Sequence, residues 1–167
     1  QYLFDLLILI FQQGPSILKN FGHPKVLHFH QTLKKVNRER HRMQAFIRFQ
    51  QSTDGLYFAI IDPDFNVLPL LLKFFKNRYT DQNWMIYDVK RDYGMLYNQT
   101  SIEEVNLSPN QSLELSTTTI ELTEEENYFQ NLWKQYFKST NIIERKNMKL
   151  HIQHVPRRYW KYLIEKQ

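Results

Sequence analysis

Residues 34–49 constrain the fold of this chain most, because a basic helical segment there runs directly into a short apolar segment. Six of these sixteen side chains are Lys or Arg, and Glu39 is the one acidic residue among them. Positions at 3-4-3-4-3 spacing predict a helical stripe that faces the core except at Arg40: Val26, Phe29, Leu33, Val36, Arg40 and Met43. A second, largely basic face of the same helix carries Lys34, Arg38, His41, Arg42 and Ala45.

Periodicity and turn residues predict the remaining elements. Helices are expected over 2–13, from Pro24 over roughly twenty residues, over 69–79, from the Thr123 capping box onward, and briefly after Pro156. Two hairpins are expected, one from strands 46–50 and 56–61 and one from strands 83–89 and 93–98. The segment 100–122 is expected to be a loop or a weak edge strand. This order predicts an α+β fold, a small antiparallel sheet of about four strands packed by helices in a single domain.

Bulk composition narrows the class of protein. At 167 residues with 15% aromatic content, the chain is long and apolar enough for one packed domain. The sequence has no cysteine, which excludes disulfides and thiolate metal sites and agrees with a cytoplasmic location. The apolar run 2–11 is too short to span a bilayer, so we expect no membrane insertion. Residues 1–22 are expected to form a helix and linker at the end of a longer upstream segment, and 23–167 the α+β domain.

The charge is distributed unevenly along the chain. The whole chain carries +5, and residues 100–127 carry seven Glu without any Lys or Arg, which leaves +12 for the rest. Such a basic remainder suits a polyanion such as DNA. Phosphate-binding candidates fall in two clusters, which also contain aromatic rings able to stack on bases: Arg38, Arg42 and Arg48, and then Arg157, Arg158, Tyr159 and Lys161. The bland alternative is that these cations form ordinary solvated helix faces.

Other patterns support weaker alternatives. Residues 42–49 partly match the octamer with which RNA-recognition domains stack bases, although its glycine and first aromatic are missing. The six histidines lack the spacing of a metal site, so we expect no metal and no cofactor. The turn that begins at Asp62 offers carboxylates for acid–base catalysis, although Asp is common in turns for structural reasons. Gly-rich phosphate loops and hydrolase motifs are absent from the sequence.

Taken in order, six segments resemble a bacterial domain family of unknown mechanism that is associated with DNA repair and DNA metabolism: 36–49, 57–64, 74–79, 84–88, 132–137 and 156–161. Members of that family are encoded beside a radical-SAM partner and are also fused to uracil-DNA glycosylase-like domains. The resemblance covers roughly 23–165. It departs from the family at Val155, where Met is usual, and in the Glu-rich expansion after Tyr97. An N-terminal family segment is also missing, so the chain resembles the C-terminal domain alone.

The resemblance implies a shared site that includes Glu39, His41, Arg42, Arg48, Arg78, Arg158 and Tyr159. It favours a nucleic-acid-binding domain that acts with the radical-SAM or glycosylase-like partner. A second hypothesis is an enzyme acting on a damaged base or nucleotide, in which His41 is the acid or base and Glu39 or Asp62 orients it. In that version Arg42 would stabilise developing negative charge. A third is a protein-interaction module with an exposed apolar surface for the partner.

Overall fold

The computed structural model describes residues 2–106, 122–142, 145 and 147–166. Its helices are α1 Tyr2–Gln13, α2 Pro24–Phe46, α3 Leu68–Arg78, α4 Glu124–Thr140 and α5 Met148–His154. Its strands are β1 Gln50–Gln51, β2 Tyr57–Ile61, β3 Trp84–Asp88, β4 Tyr93–Tyr97 and β5 Ile102–Val105. Short 3-10 turns span Pro15–Lys19, Arg157–Tyr162 and Ile164–Lys166. We call Arg157–Tyr162 the C-terminal turn.

One mixed sheet confirms the expected α+β class and corrects its details. The five strands lie in the order β1-β2-β3-β4-β5, one more than the approximate four expected. Three neighbouring pairs are antiparallel, whereas β2 and β3 run parallel because helix α3 connects them as a crossover. Both expected hairpins are present, as β1-β2 and β3-β4. The parallel pair brings the carboxyl ends of two strands to the same edge.

Helix α2 is longer than its apolar pattern indicated. His23 caps it by accepting a hydrogen bond from the Lys25 amide at 3.2 Å, and Pro24 occupies the first turn. Its far end continues to Phe46, so the expected strand 46–50 is reduced to Gln50–Gln51. Residues 42–46 are therefore helical, and the interpretation of 42–49 as an RNA-recognition strand is wrong.

The buried stripe of α2 also differs from the expected one. Glu39 is 3% exposed and faces the interior, and Leu33 of the expected stripe is exposed. Arg40, the expected exception to the stripe, is exposed. Glu39 and Arg40 both lie within about 60° of the apolar stripe on a helix with 3.6 residues per turn, so spacing alone could not choose between them. The difference is decided by partners, because the Glu39 carboxylate finds hydrogen-bond donors inside the fold.

Two apolar clusters hold the helices against each other and against the sheet. The larger one joins α2, α3 and the sheet, through Met43, Leu68, Leu71, Phe75, Trp84, Ile86 and Tyr159 among others. A smaller cluster packs α1 and the first 3-10 turn against the start of α2, through Leu6, Leu9, Ile17 and Val26. In the described part of the chain, no helix is both long and apolar enough to cross a membrane.

The acidic stretch is only partly described. Ile102–Val105 forms an edge strand, which confirms one of the two alternatives for that part, whereas 107–121 lies outside the described residues. Thr123 caps α4 by accepting a hydrogen bond from the Glu126 amide at 3.1 Å, as the capping box predicts. The Glu126 carboxylate accepts from the Gln130 amide at 3.0 Å, one turn along the helix.

Candidate functional site

A buried carboxylate organises the loop that follows strand β2. Ile61 and Asp88 are register partners at the ends of the parallel strands, so residues 62–65 leave the sheet at its carboxyl edge. Glu39 reaches this loop from α2 and accepts hydrogen bonds from the backbone amides of Asp64, at 2.9 Å, and Phe65, at 2.7 Å. Both carboxylate oxygens thus bind main-chain donors, which fixes the loop to the helix.

Arg158 ties the C-terminal turn to the same carboxylate. Its guanidinium donates to Glu39 at 2.7 Å and also pairs with Asp64 and with the Tyr159 hydroxyl. The Arg158 hydrogen bond lowers the pKa of Asp64 below its usual range. Partial burial opposes the charge on Arg158, but the bonds to Asp64 and Tyr159 outweigh it and raise the pKa of that guanidinium. Burial raises the pKa of Tyr159, whose ring lies in the core. Both shifts favour the ionised forms of Asp64 and Arg158.

Further cations pair with the other carboxylates at this edge. Lys161 donates to Asp62 at 2.7 Å, and that hydrogen bond raises the pKa of Lys161. Arg91 donates to the buried Asp88 at 2.7 Å and to the carbonyl oxygens of Pro63 and Asp64. We call this set the carboxylate network: Glu39, Asp62, Asp64, Asp88, Lys90, Arg91, Arg158 and Lys161. Every acid in it has a cationic partner, so it is suited to holding the loop rather than to accepting a proton.

The structure brings some of the sequence-predicted site residues together and separates others. Glu39, Asp62, Arg158, Tyr159 and Lys161 meet in or beside the carboxylate network. His41 is exposed and forms no hydrogen bond with a described carboxylate. The proposed acid–base group of His41 with Glu39 or Asp62 is therefore not assembled.

Two other predicted phosphate-binding residues have local partners. Arg48 donates to the Glu165 carboxylate at 2.9 Å and to the Ala45 carbonyl oxygen at 2.8 Å, which fastens the end of α2 to the last 3-10 turn. Arg78 lies at the exposed end of α3, with its guanidinium 5.6 Å from the Tyr79 ring centre. Neither belongs to the carboxylate network.

Three of the predicted cations remain available on the surface. Arg38 and Arg157 are exposed and form no ion pair with any described residue. Arg42, one turn beyond Arg38, donates to the Gln153 carbonyl oxygen at 3.4 Å near the end of α5. That contact and the Arg158 pair place the segment carrying Arg157 beside the basic turn of α2. We call Arg38, Arg42 and Arg157 the basic surface.

A family model described as a domain of unknown function, DUF4130, matches residues 1–165. The chain belongs to the DUF4130 family. The match covers the basic surface, the carboxylate network and helix α1 together. No curated protein and no solved structure matches the chain.

This DUF4130 domain also has a cleft that the sequence did not predict. Its volume is about 710 Å³. It lies between α4 on one side and, on the other, Phe49 in the segment after α2 and Trp84 on β3. Its walls include seven aromatic side chains: Phe49, Tyr57, Tyr79, Trp84, Phe129, Trp133 and Tyr136. The helix expected from the Thr123 capping box onward is present as α4, but none of its residues is fully buried. We call this space the aromatic cleft.

Glu165 joins two residues that line the aromatic cleft, Arg48 and Trp133. Its carboxylate accepts from Arg48 at 2.9 Å and from the Trp133 indole at 3.0 Å, and it therefore links the end of α2 to α4. Burial opposes its ionisation, but a backbone hydrogen bond and these two donors lower the pKa of Glu165 overall. Among the described residues of this DUF4130 domain, no three His, Asp or Glu side chains are grouped as metal ligands would be.

Proposed function

We propose that this DUF4130 domain binds nucleic acid in DNA repair or DNA metabolism, at a cytoplasmic location and as an accessory to a radical-SAM or glycosylase-like partner. The basic surface carries the proposal. Arg38 and Arg42 lie one turn apart on α2, and the Glu39–Arg158 pair holds the segment bearing Arg157 beside them. Guanidinium groups suit phosphate because their paired donors match two phosphate oxygens.

The carboxylate network supports this role indirectly. Its acids lie near the basic surface, and unpaired they would repel a phosphate backbone. Each is instead matched by a cation from the C-terminal turn or the β3-β4 turn, at distances such as 2.7 Å for Asp62 with Lys161. The local acids are thus neutralised while Arg38 and Arg157 keep their charge free for a ligand.

The partner would supply the reaction. His41 is exposed and is not joined to Glu39 or Asp62, so the acid–base group considered for these three residues is not assembled. A binding role needs no such pair. The partner's identity as a radical-SAM or glycosylase-like protein rests on the family resemblance of the sequence.

The test is fluorescence-anisotropy binding to single-stranded, duplex and uracil-containing DNA at several salt concentrations. Each phosphate contact contributes about −0.7 to −0.9 to the slope of log affinity against log salt. We expect Arg38→Ala/Arg42→Ala to weaken binding to all sequences and to reduce the steepness of that slope by about 1 to 2.

A matched control removes two exposed positive charges elsewhere. Lys19→Ala/Lys138→Ala makes the same change in net charge on the first 3-10 turn and on α4. Equal weakening in both double variants would show that only net charge matters and would refute the basic surface. Absence of binding to every DNA would refute the proposal and favour the protein-interaction module, because α4 exposes several aromatic side chains. Circular dichroism confirms that each variant is folded.

A further inference from the structure

The aromatic cleft has two walls of different character. The inner wall includes Phe49 and Trp84, which belong to or pack against the main core, with ring centres 6.2 Å apart. The outer wall is one face of α4, where Trp133 and Tyr136 stack with ring centres 5.7 Å apart and planes inclined by 30°. A flat ligand between these walls would have aromatic side chains on both sides. Its volume of about 710 Å³ is within the usual range for small-ligand sites, about 300–1,000 Å³.

Helix α4 does not close this space itself. Phe129 is 61% exposed although it lines the cleft, and no α4 side chain is fully buried. Holding aromatic surface in water forgoes about 25 cal/mol for each square ångström that could be buried. A ligand in the cleft would recover part of this stabilisation.

The polar groups in the walls favour a heterocycle over a purely apolar guest. The Gln82 amide lines the cleft and makes no hydrogen bond with a described residue, so it offers both a donor and an acceptor. Gln130 uses its amide nitrogen for Glu126, which leaves its oxygen to accept another bond. Base edges present donors and acceptors side by side, and proteins read them in this way while stacking the base on aromatic rings.

Two buried donors in the walls lack partners. Among the described residues, Arg48 Nε and Trp84 Nε1 have no hydrogen-bond acceptor, although both residues line the cleft. An unsatisfied buried donor is costly, and a native fold usually provides it with an acceptor. Both atoms are covered in the free protein, so a small shift of the neighbouring rings would be needed to expose them to an acceptor on a ligand.

We propose that the aromatic cleft binds one unstacked nucleobase of a single-stranded DNA segment. The inference rests on the proposed function, since the basic surface would supply the affinity for the phosphate backbone and the cleft a preference for bases. It assigns Phe129, Trp133 and Tyr136 to stacking and Gln82 to the base edge. A purely apolar guest is disfavoured as the occupant because it would leave the Gln82 amide unpaired.

The experiment compares two polymers of equal length and charge. One is oligothymidine, and the other has the same backbone with abasic tetrahydrofuran residues in place of the bases. We expect the protein to bind oligothymidine about tenfold more tightly, since stacking of one base on aromatic side chains contributes this order of affinity. Phe129→Ala should lose most of this preference.

Tyr128→Ala is the matched control. Tyr128 neighbours Phe129 on α4 and is 62% exposed, but it does not line the aromatic cleft. It should keep the preference for oligothymidine. Arg38→Ala/Arg42→Ala should weaken binding to both polymers by the same factor.

The outcomes separate the two proposals. Equal affinity of the unmodified protein for both polymers would overturn the base site while leaving the basic surface standing. A preference that Phe129→Ala and Tyr128→Ala reduce equally would also overturn the site. Binding to neither polymer at low salt would overturn this inference, and only absence of binding to duplex and uracil-containing DNA as well would overturn the proposed function.

Discussion

The carboxylate network and the aromatic cleft lie on two sides of the C-terminal residues and differ in how far the protein satisfies its own groups. In the carboxylate network, Glu39 accepts two backbone amides and pairs with Arg158, and Asp62 pairs with Lys161. In the aromatic cleft, the Trp84 indole has no acceptor among the described residues and the Phe129 ring remains exposed.

This difference indicates which region supports the fold and which has binding capacity left. Breaking the ion pair of a buried charge is strongly destabilising, because the remaining partner is left without a compensating charge. Open aromatic surface contributes little to the free energy of folding and is available to a ligand. The carboxylate network is therefore largely structural, and the open aromatic surface of the cleft is available to a ligand.

The largest effect on stability should come from Glu39→Ala. The substitution removes the acceptor of two loop amides and leaves Arg158 without its buried partner. We expect the free energy of unfolding to fall by about 3–5 kcal/mol, measured by urea denaturation followed by circular dichroism. Glu104→Ala removes an exposed carboxylate from edge strand β5 and should change stability by less than about 0.5 kcal/mol. A loss below about 1 kcal/mol for Glu39→Ala would contradict a fold-supporting network.

A smaller effect should distinguish the two walls of the aromatic cleft. Phe49 is half-buried and makes edge-on contacts with Phe75 and Tyr79, at centroid distances of 5.4 and 5.5 Å. We expect Phe49→Ala to lower the free energy of unfolding by about 2 kcal/mol, somewhat less than for a fully buried ring. Phe129→Ala should change it by less than about 0.5 kcal/mol. Equal losses in urea denaturation would mean that α4 is part of the core.

Local signals in the sequence predicted much of the fold. Pro24, the Thr123 cap and the two hairpins each rely on interactions within a few residues, and the structure contains all of them. The second half of the expected capping box is not formed, because the Glu126 carboxylate accepts from Gln130. The parallel pairing of β2 with β3 was missed because it depends on the path of α3 across the sheet. The segment 46–50 reads as a strand from its apolar residues, but the helical hydrogen bonds of α2 extend into it.

The candidate site was only partly predictable. The basic residues of α2 and the C-terminal turn can be read directly, but their contact spans 119 positions between Glu39 and Arg158. No local pattern reports such a contact. The aromatic cleft was missed for a different reason: helical spacing of Phe129, Leu132 and Tyr136 reads as a core stripe whether or not the helix packs tightly. Whether this face of α4 packs against the core depends on the tertiary structure, which helical spacing does not report.

The smallest of the three effects concerns Glu165, where paired charges adjoin the aromatic cleft. Its side chain is 7% exposed, and this burial opposes ionisation. A backbone hydrogen bond and the side-chain donors of Arg48 and Trp133 outweigh burial and lower the pKa of Glu165 below the ordinary 4.5. A lowered folded-state pKa gives stability that is fully present above pH 4.5 and is lost as the pH falls through the folded value. Glu165→Gln should therefore be less stable than the unmodified protein at pH 7.

On acidification the difference between the two proteins should shrink, because a protonated Glu165 resembles Gln in charge and shape. Urea unfolding midpoints at pH 7, 5, 4 and 3 measure it, and the other carboxylates titrate alike in both proteins. If the difference between the urea midpoints stays constant from pH 7 to 3, the charge of the Glu165 carboxylate does not contribute to stability. If the two midpoints converge at low pH, the ionised Glu165 carboxylate stabilises the fold through its hydrogen bonds with Arg48 and with Trp133 of α4.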